Sequence, residues 1–343
     1  MPTAAPAALS PPRAATVVGA GIIGLTTALV LEERGVRVRI VAAAAGDDTT
    51  SAVAGAIWHP FLAEPPELVT RWARVTRLWL EAIAREHPAA GVDIVTYYEA
   101  TDHDTPPAWA DAAQGLRRVP DAERRATRDP ALLAVADAPV VWALPVPRCE
   151  PGLFMPWISG RLRARVETRR LASLDDADEF GGEVVFNCTG LGAGPLTGDT
   201  DLRGVLGQVS VVRPGELPLD AGSVDERRAD NVYYTIPRRG TVVVGGVARP
   251  TAPADASQPE RPQPVDEELQ RSILLRAAER GLRPGEVVRT RASLRPARSR
   301  VRVELDNRRT PEGTPIVHNY GHGGSGWTLC RGCAEDAVMV GMS

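Results

Sequence analysis

The chain has 343 residues, enough at about 150 per domain for two domains and a sizeable core. Apolar residues make up 43% and charged residues 24%, and a net charge of −3 with a pI near 6.0 leaves no basic footprint for nucleic acid. All 40 basic residues are arginine, which excludes both a Schiff-base lysine and a P-loop lysine.

The opening MPTAAPAALSPPR has neither the basic start nor the continuous apolar stretch of a signal peptide, and it reads as a loose arm. No window approaches 18 uninterrupted apolar residues, so no membrane span is expected. Four cysteines, Cys149, Cys188, Cys330 and Cys333, do not make a disulfide framework and point to a reducing, cytoplasmic setting.

Ala15 to Val18 form a short apolar strand, followed at once by Gly19-Ala20-Gly21-Ile22-Ile23-Gly24. A helix-like run from Leu25 to Arg34 is stopped by Gly35, and a second strand follows from Val36 to Val41. This is one βαβ unit. In that setting the glycines permit a tight turn, close approach to a pyrophosphate and close helix–strand packing, with the phosphate charge on the helix N-terminus. A dinucleotide is the predicted ligand. The second strand ends in Ala42-Ala43-Ala44-Ala45, where an acid for the ribose hydroxyls is expected.

Next comes Thr49-Thr50-Ser51, leading into the small run Gly55-Ala56-Ile57. Hydroxyls followed by small residues let backbone approach a flat ligand, although the run equally reads as a polar loop before a helix. Leu68, Trp72, Val75, Leu78, Trp79, Ala82 and Ile83 recur at helical spacing and predict an amphipathic helix over 66–87. Residues 100–140 show little period and read as surface loops. Val184 to Asn187 read as a buried strand ending in the polar turn Cys188-Thr189-Gly190.

Val209 to Val212, Tyr233 to Ile236 and Thr241 to Val244 predict antiparallel strands. Residues 251–264 read as a Pro-rich linker, and Asp266 to Arg280 as a helix stopped by Gly281. Another strand is predicted from Val301 to Leu305. From His318 to Thr328, glycines at 321, 323, 324 and 326 offer N–H groups and carbonyls to a ligand edge. Cys330-x-x-Cys333 lacks a thioredoxin-like setting and reads as packing thiols; no metal-ligand spacing appears.

Taken with Tyr234-Thr235-Ile236-Pro237 and Arg295-Pro296-Ala297-Arg298, these segments resemble the D-amino-acid oxidase family from Val17 to about Ala334, most specifically in His318-Asn319-Tyr320-Gly321-His322-Gly323-Gly324. The resemblance implies an α/β fold: a Rossmann-like FAD-binding domain interleaved with an α+β substrate domain built on an antiparallel sheet. The expected division is 1–58, 145–200 and 290–343 for FAD, against 59–144 and 201–289 for substrate.

Carried over residue by residue, the FAD contacts fall on Gly19, Ala20, Gly21, Ile22, Ile23, Gly24, Thr49, Thr50, Ser51, Gly55, Ala56 and Ile57. They continue at Leu171, Thr189 and Arg295, and in the C-terminal loop at Gly323, Gly324, Ser325, Gly326, Trp327 and Thr328. The matching catalytic positions are Tyr234, Arg295 and the backbone of Gly324. A guanidinium suits that place, because its planar fork fits a carboxylate bidentately. Tyr233 is expected on the opposite face of its strand.

Three features depart from the family pattern. A lid tyrosine falls on Asp230, alanines at 43 and 44 replace polar residues near the ribose, and His59 stands where some relatives carry Gln. His59 also reads as an ordinary surface-turn histidine.

The implied activity is oxidation of a D-amino acid by O₂ and water to a 2-oxo acid, ammonia and hydrogen peroxide, with FAD as cofactor. The expected partners are a D-amino acid and O₂, with no nucleic acid, no membrane and a homodimer left open. Apolar Ile57, Trp58, Leu294 and Trp327 near the matched positions favour neutral, apolar side chains. Acidic substrates need a further cation, for which Arg227, Arg228 and Arg238 are candidates. The alternatives are a flavin oxidase for D-aspartate or for glycine and sarcosine, an NAD-linked dehydrogenase, and a non-catalytic dinucleotide-binding module.

Overall fold

A computed structural model describes residues 12–228, 232–251 and 262–343. The N-terminal arm up to residue 11, most of the 251–264 linker and the lid position Asp230 lie outside the described residues. In chain order the strands are β1 Ala14–Val18, β2 Arg37–Ala42, β3 Val92–Thr101, β4 Arg117–Arg118 and β5 Val140–Cys149. They continue as β6 Val166–Thr168, β7 Val185–Asn187, β8 Arg203–Val212, β9 Ala221–Asp225 and β10 Tyr233–Pro237. The last four are β11 Val242–Gly245, β12 Arg249–Pro250, β13 Val287–Arg309 and β14 Pro315–His322.

All join one sheet, in the order β4-β5-β3-β9-β10-β11-β8-β13-β14-β7-β1-β2-β6, with β12 beside β8. From β14 to β6 neighbouring strands are parallel, whereas from β9 to β14 they are antiparallel. β13 joins the two halves. Its residues 287–297 pair with β8, and from Ala297 onward it pairs with β14, across a register shift.

The predicted βαβ unit forms as β1, the helix Ile22–Glu33 and β2. Every residue of β1 is buried, because a parallel sheet is covered on both faces. The apolar helix Ile22–Glu33 packs against the C-terminal helix Gly326–Met342, and a Cβ on Gly24 would overlap the Gly19 carbonyl oxygen. That second helix also crosses the helix Pro66–Glu86, where a Cβ on Gly332 would run into the Trp72 backbone.

Several expectations need correction. The helix Pro66–Glu86 buries Val69, Trp72, Ala73, Thr76, Arg77, Leu80 and Ile83, while Leu78 is exposed. Arg77 takes a core position because it pairs with Glu81, donates to the Gln114 carbonyl and lies over Trp58. Residues 100–140 are more than loops: Val119, Ala131, Leu132, Val135 and Ala138 belong to a core beneath β5 and β9. β3 and β5 pair along their full length, from Val92↔Cys149 to Thr101↔Val140. Pro145 and Pro147 hide β5 in the sequence, since proline argues against a strand. Finally, Arg295 lies inside the 23-residue β13 and not ahead of a strand.

Candidate active site

A cleft of about 1900 Å³, open in part to solvent, begins at the C-terminal ends of β1, β2 and β7 and runs beneath β10 and β13. Strand ends are where open α/β sheets place ligands. At this end lie Gly19, Ala20, Gly21, Ile22 and Ile23, with Ala42 to Ala44 beside them. Gly19 has φ +118°, and a Cβ there would strike the Cys188 carbonyl. Its N–H donates to the Val41 carbonyl at 2.8 Å, which fixes the turn.

The helix behind it has no side-chain cap from Gly21; the Ile22 N–H instead donates to Ser51 Oγ at 2.9 Å. First-turn N–H groups facing a cleft with the positive end of the helix behind them suit a pyrophosphate. The glycine turn at this helix start and the run of the cleft from it toward β10 and β13 fit a dinucleotide. Among the described residues no acid lines the cleft beside Ala42 to Ala44; Arg169, Arg170 and Leu171 flank them, and Arg169 pairs with Glu179 at 2.7 Å. Thr189 also lines the cleft, its hydroxyl donating to Asn187 Oδ1 at 2.7 Å.

Thr49, Thr50, Ser51, Gly55, Ala56 and Ile57 line the middle. Two of the hydroxyls also tie the loop, Thr49 to the Gly46 carbonyl at 2.8 Å and Thr50 to the Leu294 carbonyl at 3.5 Å. Arg238 lies behind this run, donating to the carbonyls of Ala54, Gly55 and Cys149 at 3.0, 2.7 and 2.8 Å. Burial pushes its pKa down to about 10.

Of the C-terminal loop, Gly323, Gly324, Gly326 and Trp327 line the cleft. Gly324 N–H donates to the Phe61 carbonyl at 3.1 Å. The Ser325 and Thr328 hydroxyls are used on Phe61 and His59 backbone, so they position the loop against residues 59–61.

At the far end stand Arg295 and Tyr234. Arg295 Nη1 donates to the carbonyls of Leu206 (3.2 Å) and Val247 (2.8 Å), and the Tyr234 hydroxyl faces the guanidinium. Both side chains lie over glycine. A Cβ on Gly207 would stand 2.6 Å from Arg295 Cζ, and one on Gly245 or Gly246 would overlap the Tyr234 ring. Burial raises the Tyr234 pKa, with Arg295 opposing.

His59, Tyr97 and Glu226 close this end. His59 is only 8% exposed, which overturns its reading as a surface-turn histidine. Its Nε2 is 3.5 Å from Glu99 Oε2; burial disfavours its charge, but Glu99 outweighs burial and the pKa rises.

Other expectations shift as well. Trp58 donates from Nε1 to the Ala73 carbonyl at 2.9 Å inside the core, and Leu294 is buried outside the cleft lining. Ile57 and Trp327 do line it. Arg227 pairs bidentately with Asp225 at 2.9 Å, so neither it nor Arg238 faces the cleft. Tyr233 points away from Tyr234, buried beneath Arg280. All four cysteines are buried and free, and burial pushes Cys330 up to about 12.

Sequence reasoning missed Tyr97, Glu99 and Glu226. The signal for Glu226 is the two-residue alternation of β9, which turns Val224 and Glu226 toward the cleft and Asp225 away.

Comparison with known proteins places this geometry. The family described as "DAO: FAD dependent oxidoreductase" matches residues 15–338. A D-amino-acid oxidase of Rubrobacter xylanophilus is 38% identical, covering 95% of each chain. One of Streptomyces coelicolor is 36% identical over 94% of this chain and 95% of its own. The crystal structure of glycine oxidase from Geobacillus kaustophilus superposes with a TM-score of 0.71 at 17% identity, covering 97% of this chain and 95% of that one, a likeness of fold. With a glycine-rich turn at the start of the first helix, a cleft that opens at that turn and a family match over nearly its whole length, the chain belongs to the FAD dependent oxidoreductase family of enzymes.

Proposed function

We propose that this enzyme is a D-amino-acid oxidase, converting a D-amino acid, O₂ and water to a 2-oxo acid, ammonia and hydrogen peroxide. The observation that carries the reading is the pair Arg295 and Tyr234, each seated on glycine in the cleft that begins at the Gly19–Gly24 turn. FAD would be held by that turn, by Thr49 to Ser51, by Gly55 to Ile57, near Leu171 and Thr189, and by the Gly323–Thr328 loop. Held there, FAD would supply the two-electron redox chemistry between the substrate Cα–H and O₂.

The chain's own residues then have to orient the substrate. The Arg295 fork binds the α-carboxylate, and the Tyr234 hydroxyl donates to the same group. The Gly324 carbonyl accepts from the amino group. Where Phe61 and Tyr97 line the cleft, poor solvation favours the neutral amine, the form that reacts. No side-chain base is needed. Three anchors around one carbon admit one enantiomer with its Cα–H toward the cofactor.

Neutral side chains are preferred over acidic ones, since Arg227 is committed to Asp225 and Arg238 to backbone carbonyls, and Glu226 faces the cleft. The same reading divides the chain into 1–58, 145–200 and 290–343 for FAD and 59–144 and 201–289 for substrate. Its place is the cytoplasm, where thiols stay free. No helix among the described residues is long and apolar enough to cross a membrane. A peroxide assay of the purified protein over D- and L-amino acids, D-aspartate, glycine and sarcosine tests the function. Peroxide with L- but not D-enantiomers, or with none of them, refutes it.

A further inference from the structure

Arg238 is a buried cation that no step of the reaction uses. It lies in the connection between β10 and β11, is 6% exposed, and stands behind the cleft without lining it. Its Nη2 donates to two consecutive carbonyls, Ala54 at 3.0 Å and Gly55 at 2.7 Å, and its Nη1 to that of Cys149 at 2.8 Å. Glu150, 3.4 Å from Nη1, is the counter-charge. Glu150 also accepts from Arg148 and from the Arg239 N–H, each at 2.6 Å, which fixes the turn carrying Arg238 to the end of β5. Burying a guanidinium is costly, so what its donors hold in place decides its use.

Peptide geometry says what the two bonds to Ala54 and Gly55 do. In a trans peptide the N–H points opposite to the C=O of the same unit. The Ala54–Gly55 and Gly55–Ala56 units are both trans. With their carbonyls drawn back onto Arg238, the N–H groups of Gly55 and Ala56 turn forward, and both residues line the cleft. Among the described residues neither N–H, nor that of Ile57, meets an acceptor. Ala56 has φ +55°, a left-handed conformation that alanine keeps only where its surroundings hold it. Ile236 of β10 presses on the same run, since a Cβ on Gly55 would stand 2.5 Å from its Cδ1.

We propose that Arg238 is a positioning residue for the flavin: holding the Ala54 and Gly55 carbonyls from behind, it aims consecutive N–H groups of the Gly55–Ile57 run at the isoalloxazine and so raises its reduction potential. N–H dipoles facing the ring, with a guanidinium behind them, favour the electron-rich reduced form over the oxidised one. On this reading β10 serves both halves of the reaction: Tyr234 holds substrate, and Arg238, just past the strand, sets the backbone that faces the ring. The proposal rests on the assignment of Gly55–Ile57 to FAD made above.

The test is the reduction potential of the bound flavin, measured against a reference dye at saturating FAD in the wild type, Arg238→Met and Arg238→Lys. The equilibrium constant for reduction should fall about tenfold or more in Arg238→Met, which is about 30 mV for a two-electron couple. Lysine keeps the charge without the fork and should recover less than half of that fall. A constant within about threefold of wild type in Arg238→Met assigns Arg238 to the fold alone and overturns the proposal, as does full recovery by lysine. Amide exchange in the wild type decides the matter if neither variant holds flavin. Segment 54–58 should exchange about tenfold more slowly in the holoenzyme than after FAD is removed. Unchanged exchange there, with slowing at Gly19–Gly24, overturns the proposal and takes this run out of the FAD site. A protein that binds FAD but oxidises no D-amino acid fails the oxidase reading and leaves both of these measurements to decide the role of Arg238.

Discussion

Gly207→Ala should disable the enzyme without touching a group that meets substrate. Gly207 lies in β8, and its missing side chain is the floor on which Arg295 rests. An added Cβ would stand 2.6 Å from Cζ, 2.7 Å from Nη1 and 2.8 Å from Nη2. Ordinary carbon contacts are about 3.5–4.0 Å, so the guanidinium must lift by about 1 Å. It cannot lift freely, because Nη1 is held by the Leu206 and Val247 carbonyls. Displacing a positioning group by about 1 Å costs on the order of 100-fold in rate. That is about 2.7 kcal/mol of transition-state stabilisation.

The backbone of β8 accepts alanine, since Gly207 has no positive φ. The variant should therefore fold and bind flavin. Peroxide production with D-methionine gives kcat/KM, and flavin absorbance per protein gives cofactor content. Gly152→Ala is the control, because a Cβ there meets nothing within 4 Å. Wild-type kcat/KM in a normally flavinated Gly207→Ala protein would show that Arg295 does not hold the reacting substrate from this seat.

Other tests address neighbouring steps. Arg295→Ala should lower kcat/KM by roughly 3–5 kcal/mol equivalent, two to four decades, with flavin retained, and Arg295→Lys should restore little because a point charge does not replace a fork. Near-normal kinetics in either would remove Arg295 from substrate binding. Gly21→Val should yield a colourless protein at native yield, since a side chain there crowds Ser51 Oγ and blocks close approach of the pyrophosphate. A yellow variant would place the phosphates elsewhere. Acidification should destabilise the fold through His322, whose buried imidazole is pushed down to about 3. Between about pH 7.5 and 5 the unfolded imidazole takes up a proton and the folded one does not, so stability falls by about 2 kcal/mol from this group. His322→Gln should flatten the denaturant-measured pH profile by that amount, and parallel profiles would mean that His322 titrates normally in the fold.

The parts of this protein that the sequence determined by itself are those coded over short stretches. The Gly19–Gly24 turn needs only its two flanking strands and one helix, all within one βαβ unit, and each element carries its own period and stop. The four glycines between 321 and 326 likewise mark a loop at the cleft, which Gly323, Gly324 and Gly326 line, because such a density of glycine has little use in a packed segment. Tyr234 and Arg295 were singled out by the resemblance of the motifs around them, and both line the cleft; Tyr233 was sent to the opposite face by strand alternation alone.

What only the tertiary structure decided depends on contacts between segments far apart in the chain. Pairing of β3 with β5 turns Tyr97 and Glu99 into neighbours of His59, although 38 and 40 residues separate them from it. Trp58 lies next to Ile57 in sequence, but the helix Pro66–Glu86 captures its indole N–H, so one lines the cleft and the other is core. Arg227 and Arg238 are both cations near the substrate end of the sequence, and only the fold shows their charge already committed to Asp225 and to three carbonyls. Local period fixes which way a residue points along its own element; what it meets there is set by the strand or helix that packs opposite, and that information lies elsewhere in the chain.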